Sequence, residues 1–240
     1  MNVLILYAHP SPQSFNAALR DAAAEEARSL GHDVLISDLY ADDFEAVGGV
    51  RDFVAPENAD RFHYQSEQRA AALNEGFTAD IAREQDKLRW ADCLILQFPI
   101  WWGGPPAIVK GWIDRVCAYG VAYADGTRFA TGLFKGRRSM ISVTTGGSTR
   151  RFSSDGEYGA IDAVLWPIQQ LFLGYMGYEL AAPHVCYGAP RIDDAARAEQ
   201  IAGLRARVRE MVREDISATP LPSPQTLLAA VANRDWHSAV

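Results

Sequence analysis

A chain of 240 residues is long enough to bury a proper core, and 48% hydrophobic with 22% charged residues is the balance of a soluble globular protein. The net charge of −7 argues against a binder of nucleic-acid phosphates and against a polybasic membrane anchor, since both need clustered Lys and Arg. No apolar run approaches the ~20 residues that cross a bilayer, Met1 to Ala8 lacks a basic leader, and Cys93, Cys117 and Cys186 show no paired spacing, so we expect a cytosolic protein with inert buried thiols.

Residues 2–8 are a run of strand formers without polar alternation, as a parallel strand buried on both faces requires. After Pro10 and Pro12, Ser14 is placed to cap a helix that runs to about Leu30 and stops at Gly31. Asp33 to Ser37 is a second strand, and strand, helix, strand with short connections is the βαβ signature of a parallel sheet. From Asp38 to about Phe77 the rhythm is lost, among Gly48, Gly49, Pro56 and many polar residues. A connection this long in a compact domain is functional or interfacial. A helix from about Thr78 to Trp90 restores the pattern. Asp92 to Phe98 is strand three, followed by the turn Pro99 to Pro106 and a helix to about Tyr119. Arg138 to Val143 is strand four. A helix from about Tyr158 to Leu173 leads to a last strand, Tyr178 to Tyr187, and a closing helix, about Asp193 to Arg213. Its arginines are interleaved with Glu199 and Glu210 and read as a solvated face. The tail 215–240, with Pro220, Pro222 and Pro224, is expected to be irregular.

Five strands alternating with helices predict one α/β domain over 1–240 with a doubly wound, five-stranded parallel sheet. Of the two common strand orders, 2-1-3-4-5 fits best. Ligands in such a sheet sit outside the carboxyl ends of the strands at the switch point, so the loops 9–16, 99–105 and 144–148 are expected to converge.

The first loop, His9 to Asn16, opens a helix whose free N–H groups and partial positive charge suit a phosphate, with Ser14 and Asn16 as further donors. The plain alternative makes Ser14 a cap and His9 a surface residue. No G-x-G-x-x-G follows strand one, which argues against a Rossmann grip. In the second loop, Pro99-Ile100-Trp101-Trp102-Gly103-Gly104-Pro105-Pro106, two adjacent tryptophans cannot both point inward. They suit the wall of a flat aromatic ligand, and the glycines admit its close approach to backbone. The alternative is an exposed aromatic patch or a dimer contact. The third loop, Thr144-Thr145-Gly146-Gly147-Ser148, offers amides to ring carbonyls and to negative charge building on a bound ring. Alone it is equally a plain turn; joined to the other two it becomes specific.

With these residues in register, the chain resembles the NAD(P)H:quinone oxidoreductases of the long, FAD-dependent, flavodoxin-like type. More distantly it resembles the flavodoxin-like ancillary subunits of potassium efflux systems. The resemblance runs from residue 1 to about 213. It rests on Tyr7-Ala8-His9, Ser14-Phe15-Asn16, Ser37-Asp38-Leu39-Tyr40, Gln97-Phe98-Pro99, the run from Pro105 to Trp112, Thr144 to Ser148, Leu165-Trp166-Pro167-Ile168-Gln169 and Arg197. It implies a homodimer that shares its sites, FAD rather than FMN, NADPH or NADH as donor, ping-pong hydride transfer and a quinone-like acceptor. By this resemblance His9, Phe15 and Asn16 hold the diphosphate. Pro99, Ile100, Trp101, Trp102 and Gly103 lie along the isoalloxazine, Thr144, Thr145, Gly146 and Gly147 form the glycine loop, and Arg197 meets the adenine end. Tyr123 and Tyr175, with Trp102, line the substrate pocket, and His63, in the long excursion, falls where a family glutamine reaches the other subunit's flavin. No metal is called for.

Two departures stand out. The tyrosine and histidine that the family places after the glycine loop are Phe152 and Tyr158 here. Phe152 cannot donate a hydrogen bond, whereas Tyr158 keeps a hydroxyl, so Tyr158 and the amides of Gly146 and Gly147 are the catalytic candidates. In the pocket wall Trp101 replaces a polar residue and Gly103 a bulky aromatic. The rival reading, a flavin- or nucleotide-binding regulatory subunit, is favoured by the missing tyrosine–histidine pair and disfavoured by the long 38–77 excursion. A one-electron flavodoxin carrier is weaker, because such carriers are shorter and more acidic.

Overall fold

In the computed structural model, which describes residues 1–58, 60–213, 216 and 218–232, β1 (Asn2–Tyr7) lies between β2 (Asp33–Asp38) and β3 (Cys93–Pro99), parallel to both. β3 pairs with β4 (Arg138–Thr144), and β4 in turn with β5 (Glu179–Leu180) and β6 (His184–Cys186), all parallel. The order is the expected 2-1-3-4-5 of a flavodoxin-like fold. Alternate residues of the central strands enter two cores: Leu4, Leu6, Leu94 and Leu96 with Trp112 and Phe134 on one face, Val3, Ile5, Cys93 and Ile95 with Leu19 and Leu204 on the other. Burial on both faces is why these strands read as unbroken apolar runs. Tyr7 is level with Gln97, and Pro99 with Thr144, so β1, β3 and β4 end at one edge.

The fifth strand is not continuous. Ser139 pairs with Leu180 and Ser142 with His184, so four residues on one side oppose three on the other. The extra residue is a bulge in Ala181-Ala182-Pro183, where Pro183 has no N–H for the ladder. The helix expected over 158–173 starts later, as α5 (Ile161–Ile168), and runs into a π-helical stretch, Gln169–Gly174, just past Pro167.

Two expectations need correction. The 38–77 excursion contains α2 (Tyr64–Asn74), packed beside α3 (Ala79–Trp90) and α4 (Ala107–Val116). Its buried face carries Glu67 and Gln68 with alanines, so hydrophobic periodicity is silent there. Glu67 accepts the N–H groups of Glu57 and Asn58, and Gln68 bonds Asp114 and Tyr119. The excursion is also pinned by buried Arg115, whose guanidinium donates to Asp52, Asp80 and the Glu45 carbonyl. The tail is not irregular throughout: α7 (Pro224–Ala232) follows α6 (Asp194–Met211) and lays Leu227, Leu228 and Val231 on Tyr119 and Ala124. Pro224 opens it, a position that does not need the missing N–H. The rest of the tail expectation, at 215, 217 and 233–240, lies outside the described residues.

Burial pushes the Cys93 and Cys186 thiols up to about 12 and raises that of Cys117 as well, so these buried, unpaired cysteines are inert at neutral pH. Among the described residues no helix is long and apolar enough to cross a membrane.

Candidate functional site

The three loops meet. His9, Ser14, Phe15, Asn16, Pro99, Ile100, Trp101, Thr144, Thr145, Gly146 and Arg197 line one cleft of about 350 Å³ at the carboxyl edge. Ala189 and Pro190 complete it. Sequence reasoning passed over this fourth loop, although it too follows a strand and leaves the same edge, and Gly188 turns it at φ 63°.

In the first loop Ser14 caps α1 (Phe15–Ser29), accepting the Ala17 N–H at 3.1 Å. His9 is turned by its neighbour: Nδ1 accepts the Ser11 N–H at 3.0 Å, which leaves Nε2–H to donate elsewhere. Asn16 is a brace. It is buried, donates to Thr144 Oγ1 at 2.7 Å and accepts from Gln97 Nε2 at 2.8 Å. One amide side chain thus locks the starts of α1 and the ends of β3 and β4 together. Arg197 reaches back from α6 with its guanidinium carbon 5.9 Å over the Phe15 ring, and its buried Nε has no acceptor among the described residues. A buried donor without a partner is costly unless a ligand supplies the acceptor.

The second loop is a two-residue hairpin. Trp101 and Gly104 exchange both backbone hydrogen bonds, at 2.9 and 3.0 Å, around Trp102 and Gly103. Trp102 has φ 51° and Gly103 φ 76°, the pair of positive angles of a type I′ turn. Left-handed backbone costs a residue with a Cβ ~1–2 kcal/mol, and here it turns Trp102 fully into solvent, beside half-exposed Trp101.

In the third loop three successive carbonyls are taken up by the loop after β6. Those of Thr145, Gly146 and Gly147 accept from Ala189 N–H, Arg191 Nη1 and Gly188 N–H respectively. The Gly147 amide donates to Thr145 Oγ1 at 3.1 Å, while that of Gly146 has no protein acceptor among the described residues. Phe152 packs edge-on against Tyr158 with centroids 5.1 Å apart. A methyl group on Gly147 would lie 2.6 Å from one ring and 3.0 Å from the other, so only glycine lets both close over the loop. Tyr158 is half exposed, with the Arg151 guanidinium 5.8 Å from its ring.

The remaining candidates lie elsewhere in the chain. Tyr123 and Tyr175 pack against each other, centroids 6.2 Å apart, in a second cavity of about 340 Å³ that shares no wall residue with the cleft. His63 is the exposed N-cap of α2, accepting the Ser66 N–H. A flat, anionic, phosphate-bearing group such as a flavin nucleotide fits the cleft: the Gly146 amide and Arg197 Nε, without acceptors among the described residues, the N-terminus of α1 and the Trp101 ring meet there.

The model of the Flavodoxin-like fold family matches residues 1–211. The ribosyldihydronicotinamide dehydrogenase [quinone] of Mus musculus is 37% identical over 91% of this chain and 95% of its own. NAD(P)H dehydrogenase [quinone] 1 of Rattus norvegicus is 36% identical over 88% of this chain and 77% of its own. A candidate quinone reductase of Klebsiella pneumoniae superposes with a TM-score of 0.85 at 40% identity, covering 90% of this chain and 86% of that one. At that identity and coverage, the chain belongs to the flavodoxin-like family of these quinone dehydrogenases.

Proposed function

We propose that the protein is a flavin-dependent NAD(P)H:quinone oxidoreductase that works with FAD. The reading is carried by the cleft, where the Gly146 amide and Arg197 Nε, without acceptors among the described residues, share a wall with half-exposed Trp101. It is supported by the names of the relatives, which are dehydrogenases and reductases. Bound FAD supplies a two-electron carrier between a reduced nicotinamide and a quinone.

The residues divide the work. His9 Nε2–H and the N-terminus of α1 hold the diphosphate beside Phe15, with Ser14 and Asn16 fixing the helix start. Arg197 Nε meets the adenosine end, and the presence of this second anchor favours FAD over FMN. Pro99 to Gly103 would hold the flat ring. The Gly146 amide, with Thr144, Thr145 and Gly147 shaping the loop, would meet negative charge on a reduced ring, and the Tyr158 hydroxyl would donate to it. Phe152 closes the wall without donating.

The substrate site is shared in a homodimer. Tyr123 and Tyr175 do not reach the cleft of their own chain, so they serve the partner's, with Trp102 and His63 at the junction. Exposed Trp166 and Leu171, on and just past α5, supply apolar surface for that contact. Donor and acceptor occupy the same open face in turn. Initial rates at several quinone concentrations therefore give parallel double-reciprocal lines, and intersecting lines would contradict the ping-pong scheme. We assign the protein to the cytosol on its singly scattered, unpaired thiols.

A further inference from the structure

The loop after β6 does more than close the cleft. Ala189 N–H, Arg191 Nη1 and Gly188 N–H bind three successive carbonyls of the glycine loop at 3.0, 2.6 and 2.9 Å. The middle bond is the charge-assisted one, and such bonds are roughly twice as strong as neutral ones. Arg191 makes no ion pair among the described residues, so its charge is committed to the Gly146 carbonyl. That carbonyl belongs to the Gly146–Gly147 peptide, whose N–H donates to Thr145 Oγ1. Having accepted there, the Thr145 hydroxyl keeps its own proton for an acceptor outside the loop, and Thr145 is part of the cleft wall. Hydrogen bonds in series polarise one another. The series here runs from guanidinium to peptide to hydroxyl.

We propose that Arg191 is a positioning residue of this site: bound to the Gly146 carbonyl, it holds the glycine loop with its donors toward the cleft and polarises the Thr145 hydroxyl for a negatively charged ring. This rests on the reading of the cleft as a flavin site. Arg191 itself does not touch the ring, and its effect is carried by the loop.

The test is the midpoint potential of the flavin bound to the intact protein, which reports the relative affinity for its reduced and oxidised forms. Arg191→Met weakens the preference for the reduced form about tenfold, a drop of about 30 mV for a two-electron couple. Arg191→Lys, which keeps a charged N–H donor, stays within twofold of wild type. Thr145→Val alone lowers the preference as much as Arg191→Met, and adding Arg191→Met to it changes nothing beyond twofold, because the two act through one chain. In the flavin-free protein Arg191→Met speeds exchange of the Gly147 amide at least tenfold and leaves β1 and β3 unchanged. Should Arg191→Met fail to fold, Arg191→Gln takes its place, with a three- to fivefold loss expected. A methionine variant within twofold of wild type, a lysine variant as impaired as methionine, or additive losses in the double variant overturn the proposal. Wild type that takes up neither FAD nor FMN removes the reading of the cleft; wild type that loads normally beside an unaltered variant removes Arg191 alone.

Discussion

Tyr158 is the residue on which the proposed proton chemistry depends. Its ring stands against Gly147 and Phe152, and half of it is open to solvent. Phe152 has no hydroxyl, and in the proposed site the Tyr158 hydroxyl is the donor assigned beside it. Tyr158→Phe keeps the ring and deletes only the donor. Stopped-flow reduction of the bound flavin is expected to slow at least ~10-fold, equivalent to ~1.4 kcal/mol of barrier. A rate within twofold of wild type would leave charge stabilisation to the Gly146 amide. Single residues differed in how much of this the sequence revealed. The Ser14 cap and the outward Trp102 followed from local rules, because a capping hydroxyl and two adjacent indoles have few alternatives. The brace at Asn16 and the clamp at Arg191 did not, because both join segments far apart in the chain.

Strands β1, β3 and β4 were readable as apolar runs, and α1 and α6 by their caps and stops. What escaped was decided by tertiary partners. The buried face of α2 carries Glu67 and Gln68, α7 is short, follows two prolines and opens on a third, and the bulge before β6 exists only relative to β4. β6 also carries a titratable liability. His184 is buried beside Cys186 Sγ, and burial, with the Arg207 charge, lowers its pKa to about 4. An unfolded chain binds that proton near 6.5, so between those values the unfolded state holds a proton that the folded state refuses. Stability is therefore expected to fall by up to about 3 kcal/mol as pH drops from 6.5 to 4. Urea titrations across this range should show a shallower pH slope in His184→Gln than in wild type. Equal slopes would mean that His184 is protonated in the fold without penalty.

The whole molecule places Tyr123 and Tyr175 in a cavity that shares no wall residue with the cleft. In the proposed dimer, two copies related by a two-fold axis would supply each other's missing half, as closed dimers with self-complementary faces do. Light scattering at micromolar concentration is expected to give twice the 26.4 kDa chain mass; the single-chain mass would remove the shared site. The strand order, the loop convergence and the family pattern were all available from sequence, because a doubly wound sheet fixes where its loops must meet. That Tyr123 and Tyr175 lie apart from the cleft became visible only with the fold. The central claim is tested most directly by the cofactor itself. Purified protein, incubated with FAD and desalted, is expected to keep a yellow flavin that mass spectrometry identifies as FAD, to bleach anaerobically on adding NADPH or NADH, and to recolour with a quinone. A protein that retains no flavin, or a bound flavin that neither nicotinamide bleaches, would contradict the account.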